Sequence, residues 1–187
     1  MTDRFSFTKT PLEGVWIAER LVNCDERGSF SRLFCADEFS EIIRNRQIHQ
    51  INHSVNLKMG TTRGLHYQIP PSSETKIITC LKGEIFDVAV DIRSGSETFL
   101  NWHGETLSAG NSRSIIVPDG FAHGFQTLVP DCEVVYLHTG RYMPEHEGSL
   151  HVQDPALGIR WPLEITSISE RDNHHPRIDN QFQGVYL

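Results

Sequence analysis

"GNSRSIIVPDGFAHGF", residues 110–125, decides how the rest of the chain is read. An apolar run, Ile115-Ile116-Val117, enters Pro118-Asp119-Gly120, and a second run carries His123 back out. Proline presets the backbone angle at a turn's first corner and glycine accepts a positive φ at the last. The tripeptide therefore reads as a turn between two strands. The same rhythm recurs on both sides. "KIITCLKGEIFDVAVDIR" (76–93) reads as two strands meeting at Lys82-Gly83. In the second of them Phe86, Val88, Val90 and Ile92 alternate with Asp87, Ala89 and Asp91, which predicts one apolar face. "CEVVYLHTG" (132–140) is a further strand, with Val135 and Leu137 on one face and Val134, Tyr136 and His138 on the other. Helical signals are few. Phe39, Ile42 and Ile43 in "ADEFSEIIRNR" (36–46) predict one short amphipathic helix. "SERD" (169–172) fits a helix start capped by Ser169. Many short strands, Gly/Pro turns and little helix predict an all-β fold, a sandwich or small barrel.

The 187 residues suit one domain over 1–187, with no linker, repeat or low-complexity tract. The formal charge is −7, so a basic footprint for nucleic acid is absent. An anionic ligand would need positive groups gathered locally, which draws attention to Arg27, Arg63 and Lys76. No run of about 18 apolar residues predicts a membrane span. The N-terminus "MTDRFSFTKT" lacks the apolar stretch of a secretory signal. Cys24, Cys35, Cys80 and Cys132 show no CxxC spacing, so reduced thiols in a cytoplasmic protein are expected.

"TTRGLHYQIPP" (61–71) raises the question of chemistry. His66 reads as a metal ligand, a base or an ordinary strand residue. "PDGFAHGF" resembles the second motif of the cupin superfamily, a turn followed by an inward-facing histidine, here His123. Metal-binding cupins add a His-x-His pair and a glutamate. "RGLHYQIPPSSETK" offers a lone histidine, and His66 with His123 falls short of the three ligands a catalytic metal wants, unless Glu74 joins them. No metal is expected. That moves His66 towards proton transfer, for which imidazole has a suitable pKa. A carboxylate on the other ring nitrogen would help, and Asp87, Asp91 and Asp172 are the candidates.

Together these stretches resemble the dTDP-4-dehydrorhamnose 3,5-epimerase family. "DERGSF" (25–30), "QINHS" (50–54), "RGLHYQ" (63–68), "TKIITCLKGEIFDVAVDIR" (75–93), "LSAGNSRSIIVPDGFAHGF" (107–125), "VYLHTGRYMPEHEGSL" (135–150), "DPALGIRWP" (154–162) and "SERD" occur in family order. The resemblance implies a cupin-type jelly-roll barrel, a nucleotide-sugar substrate, no cofactor and a homodimer. It implies His66 as base, Asp172 as its carboxylate partner and Tyr136 as acid. Lys76 and His123 would stand near the sugar. Arg63, Gln50, Asn52, Tyr142, Glu147 and Arg171 would bind substrate. Arg27 and Phe30 would sit on an N-terminal arm, about 1–35, that packs on the partner subunit. The chain departs from the family pattern at Arg32, where an acidic residue is usual, and at Arg171, where lysine is usual. Both lie at expected substrate-binding positions, so the base and sugar of the substrate stay open. So do single-site C3 or C5 epimerisation and a non-catalytic or metal-dependent cupin.

Overall fold

A computed structural model describes residues 4–187. The strands are β1 (Phe5–Lys9), β2 (Trp16–Arg20), β3 (Val22–Asp25), β4 (Gly28–Ser31), β5 (Gln50–Asn56), β6 (Thr62–Gln68) and β7 (Lys76–Lys82). They continue as β8 (Glu84–Asp91), β9 (Trp102–Ser108), β10 (Arg113–Val117), β11 (Phe121–Thr127), β12 (Cys132–His138) and β13 (Glu147–Ser149). Two four-residue helices, α1 (Ala36–Phe39) and α2 (Glu170–Asn173), complete the regular structure with a 3-10 turn at Pro144–His146. No helix among the described residues is long and apolar enough to cross a membrane.

One sheet has the order β1-β2-β10-β7-β12-β5 and the other β13-β6-β11-β8-β9, all pairs antiparallel. This is the cupin-type jelly roll. The turns at Lys82-Gly83 and Pro118-Asp119-Gly120 carry the chain from one sheet to the other, since β7 and β10 lie in the first and β8 and β11 in the second. They are corners of the barrel. Gly120 has φ +80°, as the sequence requires at that position.

Three apolar clusters explain why the strands are so heavily buried. Ile78, Cys80, Ile115 and Val134 of the first sheet meet Ile85, Ala89, Leu107 and Phe125 of the second, and form the core between them. The outer face of the first sheet, with Phe5, Ile77, Ile116 and Leu137, is covered by Phe39 and Ile43. The outer face of the second, with Leu65, Val88, Val90 and Ile92, is covered by the C-terminal chain through Leu150, Val152, Leu157 and Val185. Burying each such side chain contributes about 1.5–3 kcal/mol.

Three expectations are changed or narrowed. The single apolar face predicted for β8 is the outward one. The face with Asp87 and Asp91 points into the barrel and is equally buried, because both sides of this sheet are covered. The helix predicted over 36–46 stops at Phe39 and continues as turns, with Arg44 and Asn45 at positive φ. Phe39 and Ile43 still supply the apolar contact that the spacing predicted. Of the expected arm, β1 and β2 belong to this chain's own first sheet. Only β3 and β4 form a separate hairpin. Residues 1–3 lie outside the described residues.

Candidate active site

The site is built on the inward faces of β6 and β11. His66 and His123 are direct cross-strand partners. Phe125 then faces Arg63, so the register shifts by one residue along β6. In a regular strand Arg63 and His66, three apart, would point to opposite faces. The shift lets both line one cavity of about 260 Å3. Close approach of the strands requires glycine on each. A Cβ on Gly64 would lie 2.7 Å from the Gly124 Cα, and one on Gly124 would lie 2.6 Å from the Arg63 oxygen.

The three candidate carboxylates separate cleanly. Asp172 Oδ1 lies 2.9 Å from His66 Nε2, and its Oδ2 accepts the Gly64 N–H at 3.1 Å. Asp87 holds His123 Nε2 with both oxygens, at 2.9 and 3.0 Å. Asp91 is taken up by Arg93, Ser96 and Thr98. Burial works to raise the Asp172 pKa. The His66 hydrogen bond and charge, the Gly64 N–H and the nearby His175 outweigh it and hold the carboxyl below its ordinary value. An ionised carboxylate only accepts, so Nε2 of His66 carries the hydrogen of this bond. Nδ1 is then the nitrogen left with a lone pair. The helix-cap reading of "SERD" also holds, because Ser169 Oγ accepts the Asp172 N–H at 3.0 Å. The cap fixes the backbone of Asp172 and leaves its carboxylate free for His66. His175 stands close by, with Nε2 3.5 Å from Asp172 Oδ1.

Tyr136 enters from β12 on the opposite sheet. Its ring centroid lies 6.2 Å from that of His123 and 6.1 Å from that of His138. Burial, reinforced by the Asp87 charge, pushes its pKa up, so the phenol stays protonated at neutral pH. Lys76 is 8% exposed and ties the sheets together, donating to the His66 backbone oxygen at 3.1 Å. Glu74 compensates its charge at 3.5 Å and also holds His138 Nδ1 at 3.0 Å. Those contacts engage both Glu74 oxygens, so the carboxylate is not available as a third ligand with His66 and His123. Burial works to raise the Glu74 pKa, but His138 and Lys76 hold it down.

A second chamber, about 460 Å3, opens from the first through Asn52, His66, Lys76 and His138. Gln50, Tyr142, Glu147 and Arg171 line it. Glu147 accepts from the Tyr142 hydroxyl at 2.9 Å and from Arg171 at 2.5 Å. Arg63 stays in the inner chamber, where its Nε donates to Asn56 at 2.7 Å.

Three expected binding residues are not brought here by this chain. Arg27 and Phe30 lie on the β3–β4 hairpin, with Arg27 paired to Asp25 and Phe30 76% exposed. Arg32 is held by Glu38 at 3.2 Å. The sequence reading also missed site residues. His138 follows Tyr136 by two on the same strand face, which was sufficient signal. Asp87 was weighed only as a partner for His66, and its pairing with His123 depended on which strands are neighbours.

Known proteins resemble this chain over most of its length. The family model for dTDP-4-dehydrorhamnose 3,5-epimerase matches residues 9–180. The enzyme of that name from Salmonella typhimurium is 43% identical over 173 residues, 91% of this chain and 94% of its own length. The one from Methanothermobacter thermautotrophicus is 42% identical, over 98% of both chains. The crystal structure of dTDP-6-deoxy-D-glucose-3,5-epimerase from Legionella pneumophila, in complex with dTDP-4-keto-L-rhamnose, superposes with a TM-score of 0.90. It is 38% identical and covers 98% of this chain and 99% of its own. With the fold, the paired histidine and the facing tyrosine in place, the chain is an isomerase and belongs to the dTDP-4-dehydrorhamnose 3,5-epimerase family.

Proposed function

We propose that the protein inverts C3 and C5 of a nucleotide-linked 4-keto-6-deoxysugar, of the kind that converts dTDP-4-dehydro-6-deoxyglucose to dTDP-4-dehydrorhamnose. The observation that carries this reading is His66 on one sheet, backed by Asp172 of α2, and Tyr136 on the other, with His66 and Tyr136 lining one cavity. Carbons C3 and C5 flank the 4-keto group, so their C–H bonds are acidic. His66 takes the proton through its free nitrogen, Nδ1. Asp172 stabilises the imidazolium that forms. The electron pair moves to the keto oxygen as an enolate. Lys76 as a cation stabilises that oxygen, and such a preorganised group contributes several kcal/mol; His123, its Nε2–H committed to Asp87, lines the wall beside the sugar. Tyr136 returns a proton from the opposite face, which inverts the carbon. The oxidation state of the sugar does not change, so no redox partner is needed.

Arg63 keeps its terminal guanidinium nitrogens for the diphosphate, and arginine pairs such oxygens well. Gln50, Asn52, Tyr142, Glu147 and Arg171 receive the rest of the nucleotide in the outer chamber. A homodimer is part of the proposal, with Arg27, Phe30 and Arg32 of the N-terminal arm serving a partner's site. The projecting hairpin supports it. So does the edge strand β5, where Ile51 is 67% and Val55 51% exposed. A cytoplasmic setting suits a chain with four free cysteines.

The test is incubation with dTDP-4-keto-6-deoxyglucose in D2O, followed by NMR. Deuterium at both C3 and C5 with the rhamno product is expected. Deuterium and inversion at one carbon alone would make it a single-site epimerase, and no exchange would overturn the reading. Light scattering of the eluting protein tests the dimer.

A further inference from the structure

The Nε2 side of His66 holds more than its carboxylate. His66 Nε2, Asp172 Oδ1 and His175 Nε2 all lie within 4.8 Å of one another. The carboxylate oxygen is 2.9 Å from the first nitrogen and 3.5 Å from the second. His175 is 8% exposed, and neither of its ring nitrogens makes a hydrogen bond. Buried polar groups are normally paired, so an idle buried imidazole aimed at a carboxylate calls for an explanation. Asp172 Oδ1 already accepts from His66, which leaves His175 without a short partner.

A cation resolves this arrangement. Two imidazoles and one carboxylate form a familiar zinc ligand set. Tetrahedral bonds of about 2.0–2.1 Å put neighbouring ligand atoms roughly 3.3 Å apart. The two separations from Asp172 Oδ1, 2.9 and 3.5 Å, bracket that value, and the two imidazole nitrogens lie within 4.8 Å of each other. A solvent molecule would complete the coordination, as in zinc sites with three protein ligands.

We propose that His66, Asp172 and His175 form a binding site for a divalent cation of the zinc type, and that filling it switches the base off. In the free enzyme the hydrogen shared with Asp172 sits on Nε2, and the base acts through the lone pair on Nδ1. With the cation bound through Nε2, that one proton resides on Nδ1. Imidazole stays neutral and no proton is gained or lost overall, yet the lone pair that would attack the sugar is gone. The cation lies on the ring nitrogen away from the reacting one, so substrate still binds. The effect is therefore a fall in kcat with KM unchanged. The effect on rate rests on the reading of His66 as base; the binding of the cation does not.

The test uses chelator-stripped protein with Cys24→Ser and Cys35→Ser in every arm, which removes the two thiols that solvent reaches. Zinc chloride is titrated calorimetrically into this background and into His175→Ala and His175→Gln. One zinc per chain is expected, with affinity lower by at least about tenfold in both variants. At a fixed zinc concentration the melting temperature of the background protein should rise more than that of the variants. With dTDP-4-keto-6-deoxyglucose, buffered zinc should lower kcat at constant KM, reversibly with EDTA, and each variant should lose less of its own zinc-free rate than the background protein does. No binding at micromolar zinc, equal binding in both variants, or inhibition expressed as a raised KM would overturn the proposal. Metal-free protein without turnover would count against the epimerase reading, while the calorimetry would still decide the site.

Discussion

His66 Nε2 and Asp172 Oδ1 meet at 2.9 Å although 106 residues separate them in the chain. The strand β6 supplies the first, and a four-residue helix capped by Ser169 supplies the second. One ring nitrogen is thereby committed and the other left free.

Removing the base should abolish turnover without unfolding the protein. His66→Ala is expected to lower kcat by at least about 10²–10⁴, with an unchanged circular dichroism spectrum. A folded variant with wild-type kcat would show that the proton goes elsewhere.

Asp172→Asn keeps the size of the side chain and the Ser169 cap but removes the charge that holds the imidazolium. The rate should fall by orders of magnitude while KM changes little. Loss of melting temperature with intact kinetics would instead confine Asp172 to its role in the helix cap.

Tyr136→Phe should separate exchange from inversion. His66 can still take a proton and return a deuteron to the same face. In D2O the variant is expected to label C3 or C5 yet accumulate little inverted sugar by NMR. Normal inversion would remove Tyr136 from the mechanism.

Arg63→Ala should raise KM more than it lowers kcat, because a diphosphate contact is equal in ground and transition states. Steady-state kinetics decide this. A fall confined to kcat would place Arg63 at the reacting carbon.

Asp91 gives a stability prediction away from the chemistry. Burial works to raise its pKa, but hydrogen bonds from Arg93, Ser96 and Thr98 outweigh it and lower the value from 3.8 to about 2. A depressed carboxylate stabilises the fold above its unfolded pKa and loses that contribution as pH falls through the folded one. Asp91→Asn should therefore cost on the order of 2 kcal/mol at pH 7. The gap to wild type should close between pH 4 and 2. Urea unfolding at several pH values measures it, and a gap that ignores pH would contradict the assignment.

Much of this was legible in the sequence because the turns are chemically explicit. Pro118-Asp119-Gly120 and Lys82-Gly83 announce themselves, and alternation in "CEVVYLHTG" put Tyr136 and His138 on one face. What stayed hidden depended on layers. Phe86, Val88, Val90 and Ile92 look like a core-facing stripe. Local pattern cannot tell that a C-terminal chain covers them and that Asp87 looks inward. Nor can spacing choose among three aspartates, since the choice is made by which strands are neighbours. Resemblance supplied Asp172, and geometry gave the physical reason. Arg27, Phe30 and Arg32 lie on or just after the β3–β4 hairpin, apart from this chain's cavity, a placement that spacing alone does not reveal.

The two corners that pass the chain between sheets have a consequence for how the rate can be tuned. His66 and Tyr136 belong to opposite walls, and no loop sets the span between them. Between those walls lies the apolar filling to which Phe125 and Ile78 belong and against which Tyr136 packs, and Lys76 bridges them at the His66 oxygen. A change of one methylene there alters the gap a proton must be handed across. Packing and proton transfer are thus a single mechanical adjustment, and surface loops could vary widely without touching it.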